Sequence, residues 1–225
     1  MEEVRRVHND IKRDLIHNMN TVKGLKALDV GCGRGGDINK WIHSGAFVDM
    51  CDPDEELLIE AKKRASKMKL RIPFYHGDIS CIPYHNKYDL ICYNFSLQYI
   101  FKDPKTFFKT LKNIKKLLKV GGKFFGCIPD SHAILMTTPF KDDMGNYMVR
   151  KDNTGYGEIG EKIYVYLENT PYYSDNEPKP EPIAYRDLLI THLENEGIMC
   201  KEWKSFESPF EISKMYSSFI FVREY

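Results

Sequence analysis

The chain has 225 residues, enough to bury one good core, so a single domain spanning 1–225 is the default reading. Its 42% hydrophobic and 29% charged residues are ordinary for a soluble globular protein. A formal net charge of +1 gives no global pull toward nucleic acid, so any such affinity needs a local patch. In chain order, Val4, Val7, Ile11 and Leu15 recur at helical spacing and predict a helix over 3–20. "KALDV" reads as a strand, 35–44 as a helix, "AFVDMC" as a strand, and 54–69 as a helix opened by Asp52-Pro53-Asp54. "IPFYH" and "YDLICYNF" follow as strands, 103–119 as an amphipathic helix and "GKFFGCI" as a strand. Beyond Pro129 the pattern loosens: 139–160 and 169–182 are rich in Gly, Asn, Asp and Pro, with one strand-like piece, "EKIYVYL", between them. A helix over 184–196, a strand over 198–204 and a last strand, "MYSSFIFV", complete the chain. The alternation predicts an α/β fold with a parallel sheet and helices on both faces.

The six cysteines include no CxxC pair, so neither a zinc knuckle nor a redox motif is visible. Cys51, Cys92 and Cys127 sit in apolar runs, as small buried thiols do. "MEEVRRVHND" lacks the apolar core of a secretory signal, and no long apolar span exists. The expectation is an intracellular chain with no membrane partner, the nucleus and the cytoplasm both remaining open.

"GCGRGGDINKW", residues 31–41, follows directly on the first strand. Gly31, Gly33 and Gly36 match GxGxxG, and Asp52 lies about twenty residues beyond Gly31, as in dinucleotide-binding folds. Two cofactor classes use such a turn. Nicotinamide dinucleotides bring a pyrophosphate to the helix N-terminus. S-adenosylmethionine brings an amino-acid head group and a sulfonium cation instead. Asp29, immediately before the glycines, favours the second, and Asp78 in "HGDI" suits an adenine amine, while Asp52 suits ribose hydroxyls. Both Asp29 and Asp78 could equally be caps or loop carboxylates.

"LDVGCGRGGDINKW" resembles the S-adenosylmethionine-binding motif of the mRNA cap guanine-N7 methyltransferases, whose run reads LDLGCGKGGDLLKW or similar. "HNDIKRDLI" is similar to that family's NNWxKSxLI helix, "YDLICYNFSLQYIF" to FDxxxxQFxxHYxF, "GGKFFGCIPDS" to GGYFIGTTPNS and "GEKIYVYL" to GNxIYxVxF. "KPEPIAY" carries Glu181 where the family has a cap-reading glutamate, and "FEISKMYSSFIF" carries Tyr216 where it has a cap-contacting tyrosine. The likeness touches most of the chain in order. It implies a class I methyltransferase fold: a seven-stranded, mostly parallel, doubly wound sheet with an antiparallel C-terminal strand. It implies S-adenosylmethionine bound by Lys12 of the N-terminal helix (1–20) and by Asp29, Gly31, Gly33, Asp52, Asp78 and Asn94 in the half spanning 24–129. It implies a capped RNA acceptor met by Asn9, Gln98, Tyr99, Glu181 and Tyr216, with the half spanning 130–225 as the acceptor half. A guanylyltransferase and a triphosphatase, as partners or neighbouring domains, would supply the earlier capping steps.

Two positions depart from that pattern. Asn94 replaces Gln at a cofactor-facing site, and Gln98 replaces His beside a retained Tyr99; Gln can hydrogen-bond a guanine edge but cannot carry charge. The C-terminal third is short, lacking the long insertion common in cellular members, as in a viral or otherwise reduced version. Methyl transfer to guanine N7 needs no base, because N7 carries a free lone pair, and no His–carboxylate dyad or metal cluster stands out. Orientation by Glu181, Tyr99 and Tyr216 is the expected contribution. Two other readings share these features: a methyltransferase acting on another RNA or a small molecule, and a non-catalytic S-adenosylmethionine-binding subunit of a capping complex. Lys105, Lys109, Lys112, Lys116 and Lys119 recur at spacings of four and three, with no acidic residue between Asp103 and Asp130. A solvated helix face is the common explanation of such a stripe, and weak, salt-dependent phosphate contact the sharper one.

Overall fold

A computed structural model describes residues 2–19, 22–150, 159–168 and 177–225. Helix α1 (Glu2–Met19) buries Val4, Leu15, Ile16 and Met19 and opens with Glu2 and Glu3, whose charges suit a helix N-terminus. Asn20, the expected end of that helix, lies outside the described residues.

Strands β1 (Lys26–Val30), β2 (Phe47–Asp52), β3 (Phe74–His76), β4 (Tyr88–Asn94), β5 (Leu118–Pro129), β10 (Ile198–Ser205) and β11 (Tyr216–Arg223) form one sheet. Its order is β10-β11-β5-β4-β1-β2-β3. Only β11 runs antiparallel to its neighbours, lying between β5 and β10. The seven-stranded, doubly wound expectation therefore holds. Helices α2 (Ile38–Ser44), α3 (Glu55–Lys67) and α4 (Pro104–Leu117) supply the crossovers, and α6 (Arg186–Asn195) packs on β10.

Boundaries follow the local chemistry. Helix α2 starts at Ile38 rather than 35 because the chain first turns through the glycines, and Asp54 caps α3 by accepting from the amides of Glu56 and Leu57. Asp103 does the same for α4, with Pro104 in the first turn. Strand β5 runs longer than expected, because both of its edges are paired, to β4 and to β11.

After Pro129 come α5 (Ser131–Thr137) and a four-stranded antiparallel sheet of β6 (Phe140–Lys141), β7 (Tyr147–Val149), β8 (Lys162–Tyr166) and β9 (Lys179–Pro182), in that order. The sequence pattern predicts only β8 here. "KPEP" forms a strand in spite of two prolines because it is an edge, where missing amide donors leave no ladder bond unmade. Residues 151–158 and 169–176 of the loose stretches lie outside the described residues. The amide of Gly160 donates to Phe101 O, which ties the small sheet to the turn at residues 97–102.

The core is aromatic-rich: Trp41, Tyr88, Phe101, Phe107, Phe124, Phe125, Phe219 and Phe221 are fully buried. Each such ring contributes about 1.5–3 kcal/mol of transfer free energy. Cys51, Cys92 and Cys127 are buried free thiols, as their apolar neighbours predict. Among the described residues no helix is long and apolar enough to cross a membrane.

The strand order reverses between β1 and β4, where β1 pairs with both β2 and β4. In open α/β sheets the crevice beyond the C-terminal strand ends at this reversal is where ligands bind.

Candidate active site

The crevice floor begins where β1 ends. Gly31 has φ +73°, and a Cβ there would stand 2.4 Å from the Ser96 Cβ. Ser96 itself donates to Val30 O at 2.7 Å, so the first loop residue must be bare for β1 and β4 to close this near. The amides of Gly31 and Cys32 donate to Cys51 O, and the Gly33 amide donates to Asp52 Oδ2 at 2.7 Å. Asp52 Oδ1 accepts from the Asp54 amide, so this carboxylate is clamped between the glycine loop and the start of α3. Above Gly33, with φ +51°, and above Gly36 a Cβ would meet nothing within 4 Å. That open space lies where a ligand would approach bare backbone.

Asp37, the residue after the glycines, is a charge hub. Its Oδ1 receives Lys12 Nζ at 2.8 Å and Lys40 Nζ at 2.7 Å, and its Oδ2 receives Asn94 Nδ2 at 3.0 Å. Burial alone would raise the Asp37 pKa, but the two ammonium groups outweigh it and hold the carboxyl below its ordinary value. Burial likewise works against the charge on Lys12, and Asp37 more than restores it, leaving that pKa raised. Asp29, at the end of β1, is buried and accepts from Trp41 Nε1 at 2.9 Å. Its pKa is pushed up to about 7, first by burial and then by the negative charge of Asp37. The amide of Asn94 is half used: Oδ1 is buried with no hydrogen-bond partner.

The opposite wall is aromatic. Phe95 adopts φ +58°, a left-handed conformation costing a non-glycine residue about 1–2 kcal/mol. There its ring stacks on His8 at 5.5 Å and meets Tyr216 edge-on at 5.5 Å and Phe206 at 6.1 Å. His8 Nε2 lies 2.9 Å from Ser213 Oγ, and burial, helped by the Lys12 charge, lowers the His8 pKa to about 4. Burial, reinforced by the nearby Glu181 carboxylate, raises the Tyr216 pKa, so its hydroxyl stays protonated. Glu181, on β9, accepts from Gln98 Nε2 at 3.3 Å. The same nitrogen donates to Phe95 O, while Gln98 Oε1 is buried and unpartnered.

Lys12, Asp29, Gly31, Gly33, Asp52 and Asn94 thus converge on the floor. Asp78 caps the short turn 79–81 through the Ser80 amide, beside Asp52, whose carbonyl accepts from the Gly77 amide. Asn9 is exposed, and its Oδ1 accepts from Lys40 Nζ, placing it against the floor's lysine rather than the aromatic wall. Gln98, Glu181 and Tyr216 gather at the wall, with Tyr99 40% exposed at its rim. Asp37 and Lys40 belong to the site and stand in the quoted "GGDINKW", where their i,i+3 spacing was the available signal. His8, Phe95 and Phe206 also belong to it, and nothing in their sequence spacing marked them. The α4 lysine stripe is less open than its sequence suggests. Lys119 pairs with Asp89 at 2.8 Å, and Lys116 lies 4.8 Å above the Tyr84 ring. Among the described residues no group of three His, Cys, Asp or Glu side chains is placed to hold a metal ion.

Residues 27–122 match a family model described as a methyltransferase domain. The chain is 32% identical to the mRNA cap guanine-N(7) methyltransferase of Caenorhabditis briggsae over 87% of this chain and 58% of that protein. It is 31% identical to the one from Schizosaccharomyces pombe over 74% and 53%. The chain therefore spans little more than half the length of these curated relatives. Among solved structures, an S-adenosylmethionine-dependent methyltransferase from Clostridium acetobutylicum superposes with a TM-score of 0.65 at 18% identity, covering 96% of this chain and 89% of that one. A glycopeptide N-methyltransferase complexed with S-adenosylmethionine gives 0.64 at 15%, covering 95% and 93%. The fold is that of the S-adenosylmethionine-dependent methyltransferases, and in sequence the chain is similar to the mRNA cap guanine-N(7) methyltransferases.

Proposed function

We propose that the protein transfers a methyl group from S-adenosylmethionine to N7 of the guanosine cap of RNA. The observation carrying the acceptor half is Glu181: a carboxylate on an edge strand, hydrogen-bonded to Gln98 and beside Tyr216 in the aromatic wall, across the crevice from the glycine floor. The residues of the floor fit the cofactor. The unpartnered Asn94 Oδ1 and the Asp29 carboxyl suit an ammonium group, while Lys12 and Lys40 suit a carboxylate. Asp52 suits ribose hydroxyls, Asp78 an adenine amine, and the space over Gly33 and Gly36 admits a ligand close to the backbone. When bound, S-adenosylmethionine supplies an electrophilic methyl on a sulfonium. Everything else required of this chain is placement and electrostatics.

Guanine N7 has a lone pair and no proton, so no general base is needed. As the purine gains positive charge, the Glu181 carboxylate stabilises it through the N1–H and N2 amine. Tyr99, Tyr216 and Phe95 would hold the ring and exclude water. Asn9, reaching Lys40, supports the floor more directly than it supports the acceptor. The guanylyltransferase and triphosphatase steps would come from partners or adjoining domains, and capped RNA from their action.

The test is incubation with labelled S-adenosylmethionine and GpppG-capped RNA, followed by nuclease digestion and chromatography. Label in N7-methylguanosine, lost in Glu181→Ala, is the expected outcome. Label in another nucleoside or in a small molecule would overturn the acceptor half. Cofactor binding with no transfer to any acceptor would point to a non-catalytic subunit.

A further inference from the structure

A second feature stands at the other edge of the sheet. From Ala61 to Gly77 the chain has no carboxylate, and Lys62, Lys63, Arg64, Lys67, Lys69 and Arg71 are all exposed. Among the described residues none of the six makes an ion pair. Helix α3 turns Leu58, Ala61 and Ala65 to the sheet, so its basic side chains point outward. Between the end of α3 and the start of β3 lies a groove of about 490 Å³. Lys62, Lys69 and Arg71 stand on its rim, and Ala65, Leu70 and Phe74 lie in its floor.

Lys69 carries a second signal. Helix α3 ends with the Lys69 amide on Ser66 O and the Leu70 amide on Ala65 O, a reversal that places Lys69 at φ +56°. Glycine is the usual residue at such a position, because any side chain there is strained. The chain keeps a strained lysine on the rim of the groove instead.

We propose that this groove binds the phosphodiester backbone of single-stranded RNA, a base lying on the apolar floor against Phe74 and phosphates on the basic rim. An acidic peptide would answer the charges but not the flat, aromatic-backed floor, so RNA is the occupant the groove favours. Resting on the reading of capped RNA as acceptor, the groove would engage the transcript beyond its cap. Edge strand β3 lies three strand spacings from β4, about 15 Å at about 4.8 Å each, and the groove opens at the start of β3, the opposite end of the parallel strands from the crevice, so a cap dinucleotide alone would not reach it.

The test uses the full chain and a fluorescein-labelled, uncapped single-stranded RNA, followed by anisotropy across a salt series. Lys62→Glu combined with Lys69→Glu and Arg71→Glu should weaken binding at least tenfold, and losing three phosphate contacts should flatten the log–log salt slope by about 2. Lys69→Gly should weaken binding severalfold while raising the melting temperature, a split that a purely structural lysine would not produce. Methylation of the dinucleotide GpppG should be unchanged in both. RNA affinity within twofold of wild type in the triple variant would overturn the proposal. So would competition by polyglutamate as effective as that by unlabelled RNA, which would favour an acidic protein. Because the RNA is uncapped, failure to methylate GpppG would count against the catalytic reading alone.

Discussion

On the floor of the crevice, polar groups hold one another: three side chains converge on Asp37 within 3.0 Å, and Asp52 is clamped by two backbone amides. Across from it, four rings pack at centroid distances of 5.1–6.1 Å, and a 3.3 Å bond links Gln98 to Glu181. The charges of the floor are interlocked. The wall is a surface with one carboxylate on it. Damage to the floor should therefore unsettle the fold, whereas damage to the wall should change chemistry and spare the fold.

Asp37→Ala is the hardest blow to the floor. It strands the half-buried Lys12 without its counter-charge, which should cost about 3–5 kcal/mol, read by urea denaturation. A loss below about 1 kcal/mol would show the knot to be three independent contacts. Glu181→Gln, at the wall, should leave the urea midpoint nearly unmoved while cap methylation falls about 10²–10³-fold, the scale of losing one oriented electrostatic group. Equal loss of stability in the two variants would erase the distinction between the sides.

A subtler probe is Asp29, whose pKa is raised from 3.8 to about 7. Folded protein then holds a proton that the unfolded chain has released, so its contribution to stability declines as pH rises from about 4 to about 7. A cationic ligand prefers the ionised carboxylate, so cofactor affinity should rise over the upper part of that window. Calorimetric titration from pH 5.5 to 7.5 would read it, and Asp29→Asn should flatten the profile. A wild-type profile already flat would remove Asp29 from cofactor binding.

The main sheet was legible because alternating strands and helices with short turns leave few topologies open. The glycine loop was legible because close backbone approach restricts residue type. Glu181 could be placed only through resemblance, since β9 reads as a proline-rich loop and becomes a strand only by pairing with β8. Phe95 gave no signal, because a left-handed phenylalanine looks like any other in one-letter code. The α4 lysines show the same limit from the opposite direction. Asp89, which pairs with Lys119, and Glu196, which pairs with the neighbouring Lys115, come from distant segments, so counting carboxylates along one helix overstated its field. At residues 62–71 no such partner arrives among the described residues, and the stripe that drew attention in sequence is the more neutralised of the two.

Helix α1 belongs to both sides of the crevice. His8 stands in the wall, Lys12 reaches Asp37 in the floor, and the Lys12 ammonium lies 5.8 Å from the centre of the Phe95 ring. One rigid rod thus serves as a strut common to two binding events. Whatever free energy the first ligand spends steadying that rod is not required of the second. By thermodynamic reciprocity, the factor by which cofactor tightens the acceptor must equal the factor by which acceptor tightens the cofactor. Titrating in both orders would return one coupling constant above unity if α1 is shared in this way, and a value of one if each ligand has its own support.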